Sequence, residues 1–376
     1  MKLILKFIKK ELQQFRRDRK MVMTVIVAPI IQLIFLGYAA NRDVNTIQSA
    51  ILDNDKTYTS REFISKFEKS GYFEINYYVT SYNEIEDLIN KGKILIAVII
   101  PGDFEKNIGA NKTADVQTIL DGSDGSKAAI VGGYAMGIVS SYSQNIMVER
   151  ILKSGIKSNL PGTISPEVRI WYNQDMSTRN YMLPGIVGLL LMIITINLTS
   201  LAIVKEREIG TLEQLIVTPI KPYQMIIGKL VPFVFIGVIP MIIVLLVMQF
   251  WFGIPIKGSQ IYLFFSAFLF MLSTLGVGLF ISTISKTQFQ AMITSAFGVI
   301  MPMMFLSGFV FPIENMPQIV QYITYIIPLR YFNIILRGIV LKGMGIRDLW
   351  LETSILFFIG FAILLLSSLR FSKKLK

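Results

Sequence analysis

The chain has 376 residues, of which 53% are hydrophobic, and its mean hydropathy is +0.56. That is too apolar for an ordinary soluble domain, and the apolar residues fall in blocks rather than in an alternating pattern. There is no histidine and no cysteine, which removes disulfides, His-based metal sites and Ser-His triads together.

The blocks are long enough to cross a bilayer. A hydrocarbon core about 30 Å thick needs roughly 20 apolar residues of helix. Six segments qualify, at about Met21–Ala40, Tyr181–Val204, Leu230–Phe252, Ile261–Ile284, Phe289–Phe311 and Leu349–Leu369. The net charge of +12 does not point to nucleic acid, because of where it sits. Residues 41–180 hold about 15 basic against about 17 acidic side chains, a near balance. The excess flanks the spans. Lys2, Lys6, Lys9, Lys10, Arg16, Arg17, Arg19 and Lys20 precede the first, and Arg370, Lys373, Lys374 and Lys376 follow the last. Cytoplasmic flanks collect Lys and Arg, so both termini are expected in the cytoplasm. With six spans, Lys205–Lys229 and Ser285–Gln288 then face the cytosol, and 41–180, 253–260 and 312–348 face outward.

Taken in order, residues 1–20 read as an amphipathic interfacial helix, with Leu3, Ile4, Phe7, Ile8, Leu12 and Phe15 on one stripe. The first span is 21–40. Residues 41–180 read as an extracytoplasmic α/β domain. Its expected strands are Gln48–Leu52, Phe73–Val79, Ile94–Ile100 and Val116–Leu120. The continuous apolar run Ile94–Ile100 marks a strand buried on both faces. Ser60–Lys69 has helical spacing, Ser81 to Glu84 is a capping box opening a helix to Ile89, and a short helix follows Pro101-Gly102-Asp103. A long helix from Lys127 to about Ser158 leads back toward the membrane, 160–166 is a linker, and Val168–Tyr172 is a candidate edge strand. The loop Asp121–Lys127 has the look of a phosphate or calcium loop but lacks the GxxxxGK[ST] spacing and the later bidentate Glu, so it reads as a strand-to-helix turn. Asn111-Lys112-Thr113 fits a glycosylation acceptor by pattern only.

Residues 181–376 form the remaining five-helix region. Pro232 and Pro240 fall inside the third span. Leu275-Gly276-Val277-Gly278 allows close helix approach, either within one subunit or at a dimer seam. In 312–348, two short helices, Gln318–Ile327 and Arg330–Val340, are separated by Pro328 and read as an outer re-entrant segment. The segment 205–229 stands apart from its neighbours. Lys205, Glu206, Arg207 and Glu208 crowd its start, Gly210 permits a bend, and Thr211–Val217 has helical spacing before Thr218-Pro219 and Lys221-Pro222 interrupt it.

Ion-driven carriers hold ionisable groups at midplane depth, and none of the apolar runs carries a Lys, Arg or Asp well inside it. There is also no Walker A loop, so the chain is expected not to be an enzyme, and energy for transport must come from another subunit. The rival reading is a membrane sensor or scaffold whose outward domain binds a ligand without transport.

The chain resembles the permease subunit of type-2 ABC exporters, in the branch with a large extracytoplasmic domain between the first two spans. The resemblance runs nearly end to end. It is carried by Lys205-Glu-Arg-Glu-Ile-Gly-Thr-Leu-Glu-Gln-Leu215 with Thr218-Pro219 and Gly228-Lys229, by Trp171-Tyr-Asn-Gln174 and Arg179-Asn-Tyr-Met-Leu-Pro-Gly185, and by Leu306–Pro317 and Pro328-Leu-Arg-Tyr-Phe332. It implies a polytopic α-helical membrane protein with six transmembrane helices and the inserted α/β domain, multi-pass in a bacterial plasma (inner) membrane. It implies a second permease, identical or paralogous, two ABC ATPase subunits that carry ATP and Mg, contact with membrane lipids, and export of drug-like or amphiphilic substrates. No cofactor is expected in this chain, and a periplasmic adaptor is a candidate partner of the outward domain. By the same resemblance Glu206, Glu208, Gly210, Thr211, Glu213 and Gln214 form the coupling contact with the ATPase.

Overall fold

The computed structural model describes residues 2–40, 46–153, 171–173, 177–210 and 222–374. Two compact units emerge: 43–167 by itself, and 1–42 joined with 168–376.

The smaller unit is built on a four-stranded sheet, β1 (Ile47–Asp53), β2 (Phe73–Tyr78), β3 (Ile96–Ile100) and β4 (Gln117–Leu120), in the order β2-β1-β3-β4. β1 pairs parallel with β2 and β3, and β4 closes the edge antiparallel. β3 is buried at every residue, and the period-2 rule explains how. Ile96, Val98 and Ile100 pack with Phe63, Phe67 and Phe104 on one face, while Ala97 and Ile99 pack with Ile85 and Leu52 on the other. The first face is covered by α3 (Tyr58–Lys69), α5 (Phe104–Gly109) and α6 (Gly125–Lys153), the second by α4 (Tyr82–Asn90). The expected capping box at α4 differs in one partner. The Ser81 hydroxyl accepts from the Glu84 amide at 3.4 Å, but the Glu84 carboxylate reaches back to the Thr80 amide at 3.2 Å. At Asp121 the chain makes a turn held by its own carboxylate, which accepts from the Ser123 amide at 2.9 Å. Trp171 and Tyr172 are not in a strand, and 168–170 and the 160–166 linker lie outside the described residues.

The larger unit is helical. An amphipathic α1 (Lys2–Arg17) meets α2 (Arg19–Ala39) at Asp18, whose carboxylate caps α2 by accepting from the Met21 amide at 3.1 Å. α7 (Thr178–Glu208), α8 (Pro222–Phe250), α9 (Gln260–Ile284), α10 (Gln288–Leu306), α11 (Gln318–Thr324), α12 (Pro328–Arg337) and α13 (Trp350–Lys374) follow. Six of these are long and apolar enough to cross a membrane: α2, α7, α8, α9, α10 and α13. α11 and α12 are bent by 79° about the break before Pro328, and Pro328 opens α12 where its missing N–H costs nothing. α10 carries a π-helical stretch, Thr294–Ile300, that its apolar sequence does not announce.

α7 and α9 form the centre, with 78% and 72% of their most apolar windows buried, against 11% for α10. Small residues set the contacts there. A Cβ on Gly278 would lie 2.7 Å from the Ile196 carbonyl of α7, and one on Gly276 would lie 3.1 Å from the Leu364 backbone of α13. The glycine pair thus packs within the chain. Buried hydroxyls meet one another or nearby carbonyls, as where Thr195 Oγ1 donates to Leu191 O at 2.7 Å and lies 2.8 Å from Thr274 Oγ1.

Candidate functional site

At the end of the helical unit where α1 meets the close of α7 and the opening of α8, four charged side chains come together. Glu206, two residues from the end of α7, places its two carboxylate oxygens 2.6 Å from Lys229 Nζ and 3.1 Å from Lys10 Nζ. Lys229 Nζ also lies 3.2 Å from Glu11 Oε1. Lys229 is 2% exposed, Glu11 5% and Glu206 7% on their side chains, whereas Lys10 is 48% exposed. Such a group survives burial only because each charge meets its opposite.

The local sequence builds this arrangement. Phe7, Glu11 and Phe15 recur every fourth residue and form the buried line of α1. Phe7 sits so close to Gly228 that a Cβ there would lie 2.9 Å from its own, which brings α1 against α8 one residue before Lys229. Next to the cluster, Lys205 Nζ pairs with Asp18 at 3.1 Å. Arg207 Nη1 donates to the carbonyls of Ser282 and Ser285 at 2.7 and 2.8 Å, and Gln288 Nε2 donates to Glu208 at 2.6 Å. The close of α7 is therefore tied to α1, α2, α8, the end of α9 and the start of α10. Gly210 then adopts φ +80°, a left-handed turn that ends the helix.

Of the six residues expected to form the coupling contact, Glu206 turns into the charge cluster, Glu208 is exposed at the end of α7, and Gly210 makes the turn after it. Thr211, Glu213 and Gln214 lie outside the described residues. Glu11, Lys10 and Lys229 are not among the residues expected at the coupling contact, although Lys10 is counted with the flanking charges and Lys229 with the residues of the family resemblance. The signal for Glu11 was there: it is the sole acid in α1 and falls on the apolar line between Phe7 and Phe15. Lys229 was placed before the apolar run that starts at Leu230. In the structure α8 begins at Pro222, so Lys229 lies about 10 Å inside the helix. This corrects the expectation of a helical unit with charge confined to its flanks, although the cluster sits at the end of α7 and near the start of α8 and not at their middle.

The other end carries arginines held by aromatic rings. Arg337 of α12 lies 3.7 Å from the Tyr181 ring centre and donates to Gly308 O at 3.4 Å. Arg330 lies 4.2 Å from the Tyr325 ring. Among the described residues, no group of acids suited to a metal occurs.

Comparison with known proteins agrees with this layout. A family model described as ABC-2 family transporter protein matches residues 19–369. The chain is 34% identical over 360 residues to the probable multidrug ABC transporter permease YbhS of Escherichia coli K12, covering 93% of each chain. It is 34% identical over 343 residues to the probable multidrug ABC transporter permease YbhR of the same strain, covering 91% of each. It is 25% identical over 370 residues to the inner membrane transport permease YhhJ, covering 97% of this chain and 95% of that one. With six membrane-length helices among the described residues and this match along nearly its whole length, the chain belongs to the ABC-2 family of transporter proteins as a multi-pass membrane permease.

Proposed function

We propose that the chain is the permease half of an exporter driven by a separate ABC ATPase, and that it moves amphiphilic or drug-like molecules out of the cytoplasm or the inner leaflet. Two relatives are named probable multidrug permeases, which supports that substrate class. In this reading both termini and the 205–229 linker are cytoplasmic, the unit 43–167 is extracytoplasmic, and a second permease completes the pathway.

The observation that carries the reading is the tying of both ends of the linker to one charge cluster. Glu206 closes α7, Lys229 lies early in α8, and the two share an ion pair at 2.6 Å. A push on the linker from a closing ATPase is then passed to α7 and α8 as one body and, through Glu11, to α1. Co-purification of an ATPase with the full chain, and measurement of its turnover in liposomes across a panel of amphiphiles, tests this. Stimulated turnover is expected; a chain that recruits no ATPase and moves no amphiphile would return the rival sensor reading.

A further inference from the structure

The α/β unit holds a cavity of about 350 Å³ between α3, α5, the turn after α5, and α6, within the range of small-molecule sites. Its floor is aromatic. The rings of Phe104 and Tyr142 lie 5.5 and 5.0 Å from that of Phe63, and none of the three residues is more than 7% exposed. Ile108, Val139 and Ile146 extend the apolar wall. A hydrocarbon body fills such a space without leaving polar groups of its own unpaired.

The charge around it has one sign. Lys112 and Arg150 are the charged side chains of the lining, and neither forms an ion pair among the described residues. Arg150 Nη2 donates to Ile108 O, which fixes the guanidinium beside the cavity and leaves its other N–H groups unused. The acids next along the chain, Asp115 and Glu149, do not line the cavity, and Glu62, beside Phe63, pairs with Lys66 at 3.9 Å. Tyr142 adds a donor. Burial pushes its phenol up to about 12, helped by the charges of Glu62 and Glu149, so it keeps its proton at neutral pH, and its hydroxyl makes no hydrogen bond. Cations and a donor without acids select acceptors or negative charge in the occupant.

We propose that this cavity binds a small amphiphile with an anionic head, its hydrocarbon on the Phe63, Phe104 and Tyr142 rings and its head at Arg150 and Lys112. The site belongs to the α/β unit alone and rests on neither the exporter nor the sensor reading.

The chain has no cysteine, so Ser143→Cys, at an exposed position of the lining, supplies a single reporter thiol. The full chain is placed in phosphatidylcholine nanodiscs and its labelling by uncharged iodoacetamide is timed. Octanoate, octanol and octylammonium share one tail and differ in the head. Octanoate at ten times its Kd is expected to slow labelling about tenfold by mass action. At the same concentration octanol is expected to protect less, and octylammonium not at all. Lys112→Gln, an exposed change, should weaken octanoate about two- to fivefold and leave octanol as it was. Joined with Arg150→Gln, it should bring octanoate down to the level of octanol. Ser123→Cys, exposed at the Asp121 turn, should label at the same rate with every probe. If phosphatidylglycerol nanodiscs protect position 143 without octanoate, the head is that of a bilayer lipid; if they do not, it is that of a free molecule, and either supports the site. Equal protection by octylammonium, octanoate protection that survives the double variant, protection of positions 123 and 143 alike, or no protection by any probe overturns the proposal. Failure to recruit an ATPase would sink the exporter reading and leave this result standing.

Discussion

Lys229 is a buried amine paired with two buried carboxylates, Glu11 and Glu206. With its amine gone, Glu11 and Glu206 face each other in a buried site with only the half-exposed Lys10 for balance. Removing one partner of a buried ion group costs about 3–5 kcal/mol, so Lys229→Met is expected to lower the melting temperature of the purified chain sharply. Lys10→Ala, whose amine is 48% exposed, is expected to cost no more than about 1 kcal/mol. Equal shifts for the two variants would refute the cluster as a structural brace. A second residue-level test uses pH. The Thr80 amide and hydroxyl donate to the Glu84 carboxylate and hold it below the ordinary carboxylate range. The folded value is lowered, so this contribution stands above the ordinary value and is lost as pH falls through the lowered one. Relative to the intrinsic exchange rate at each pH, protection at the start of α4 should fall on acidification, and Glu84→Gln should flatten that dependence. An exchange rate at α4 that tracks only the intrinsic chemistry would contradict it.

At the scale of elements, the sequence was informative wherever one residue type has one mechanical meaning. Apolar blocks gave the spans, the unbroken run through Ile96–Ile100 gave a strand covered on both faces, and Pro328 gave the break between α11 and α12. Three things stayed hidden for physical reasons. The π-helical stretch in α10 depends on packing, not on a local signature. The start of α8 at Pro222 was obscured because an apolar-run criterion stops at a lysine, whereas a helix does not. Glu11 was masked by the apolar stripe around it, since its buried partner Lys229 is 218 positions along the chain and no periodicity links the two. The glycines of α9 were ambiguous between internal packing and a dimer seam until the neighbours of Gly276 and Gly278 were seen. Gly278→Ala should therefore destabilise the isolated chain by about 1–3 kcal/mol through the clash with Ile196 O. A variant that kept its melting temperature and lost only self-association would point to a seam between copies instead.

At the scale of the whole molecule, the reading requires the α/β unit on one side of the membrane and the ends of α7 and α9 on the other. Ser123 and Lys286 are exposed in their respective units and, in a chain without cysteine, serve as single reporter sites. A membrane-impermeant maleimide should reach Ser123→Cys from outside the cell and Lys286→Cys only after permeabilisation; the reverse pattern would place the linker outside and end the exporter account. The most direct measurement goes to the linker itself. Glu208 is exposed at the end of α7, and Gly210 holds a backbone angle that costs a side-chain-bearing residue about 1–2 kcal/mol. Glu208→Lys combined with Gly210→Trp should leave the chain folded and in the membrane but abolish both transport and the stimulation of the partner ATPase by amphiphiles. Unchanged transport and unchanged stimulation in that double variant would contradict the claim that force enters this permease through its 205–229 linker.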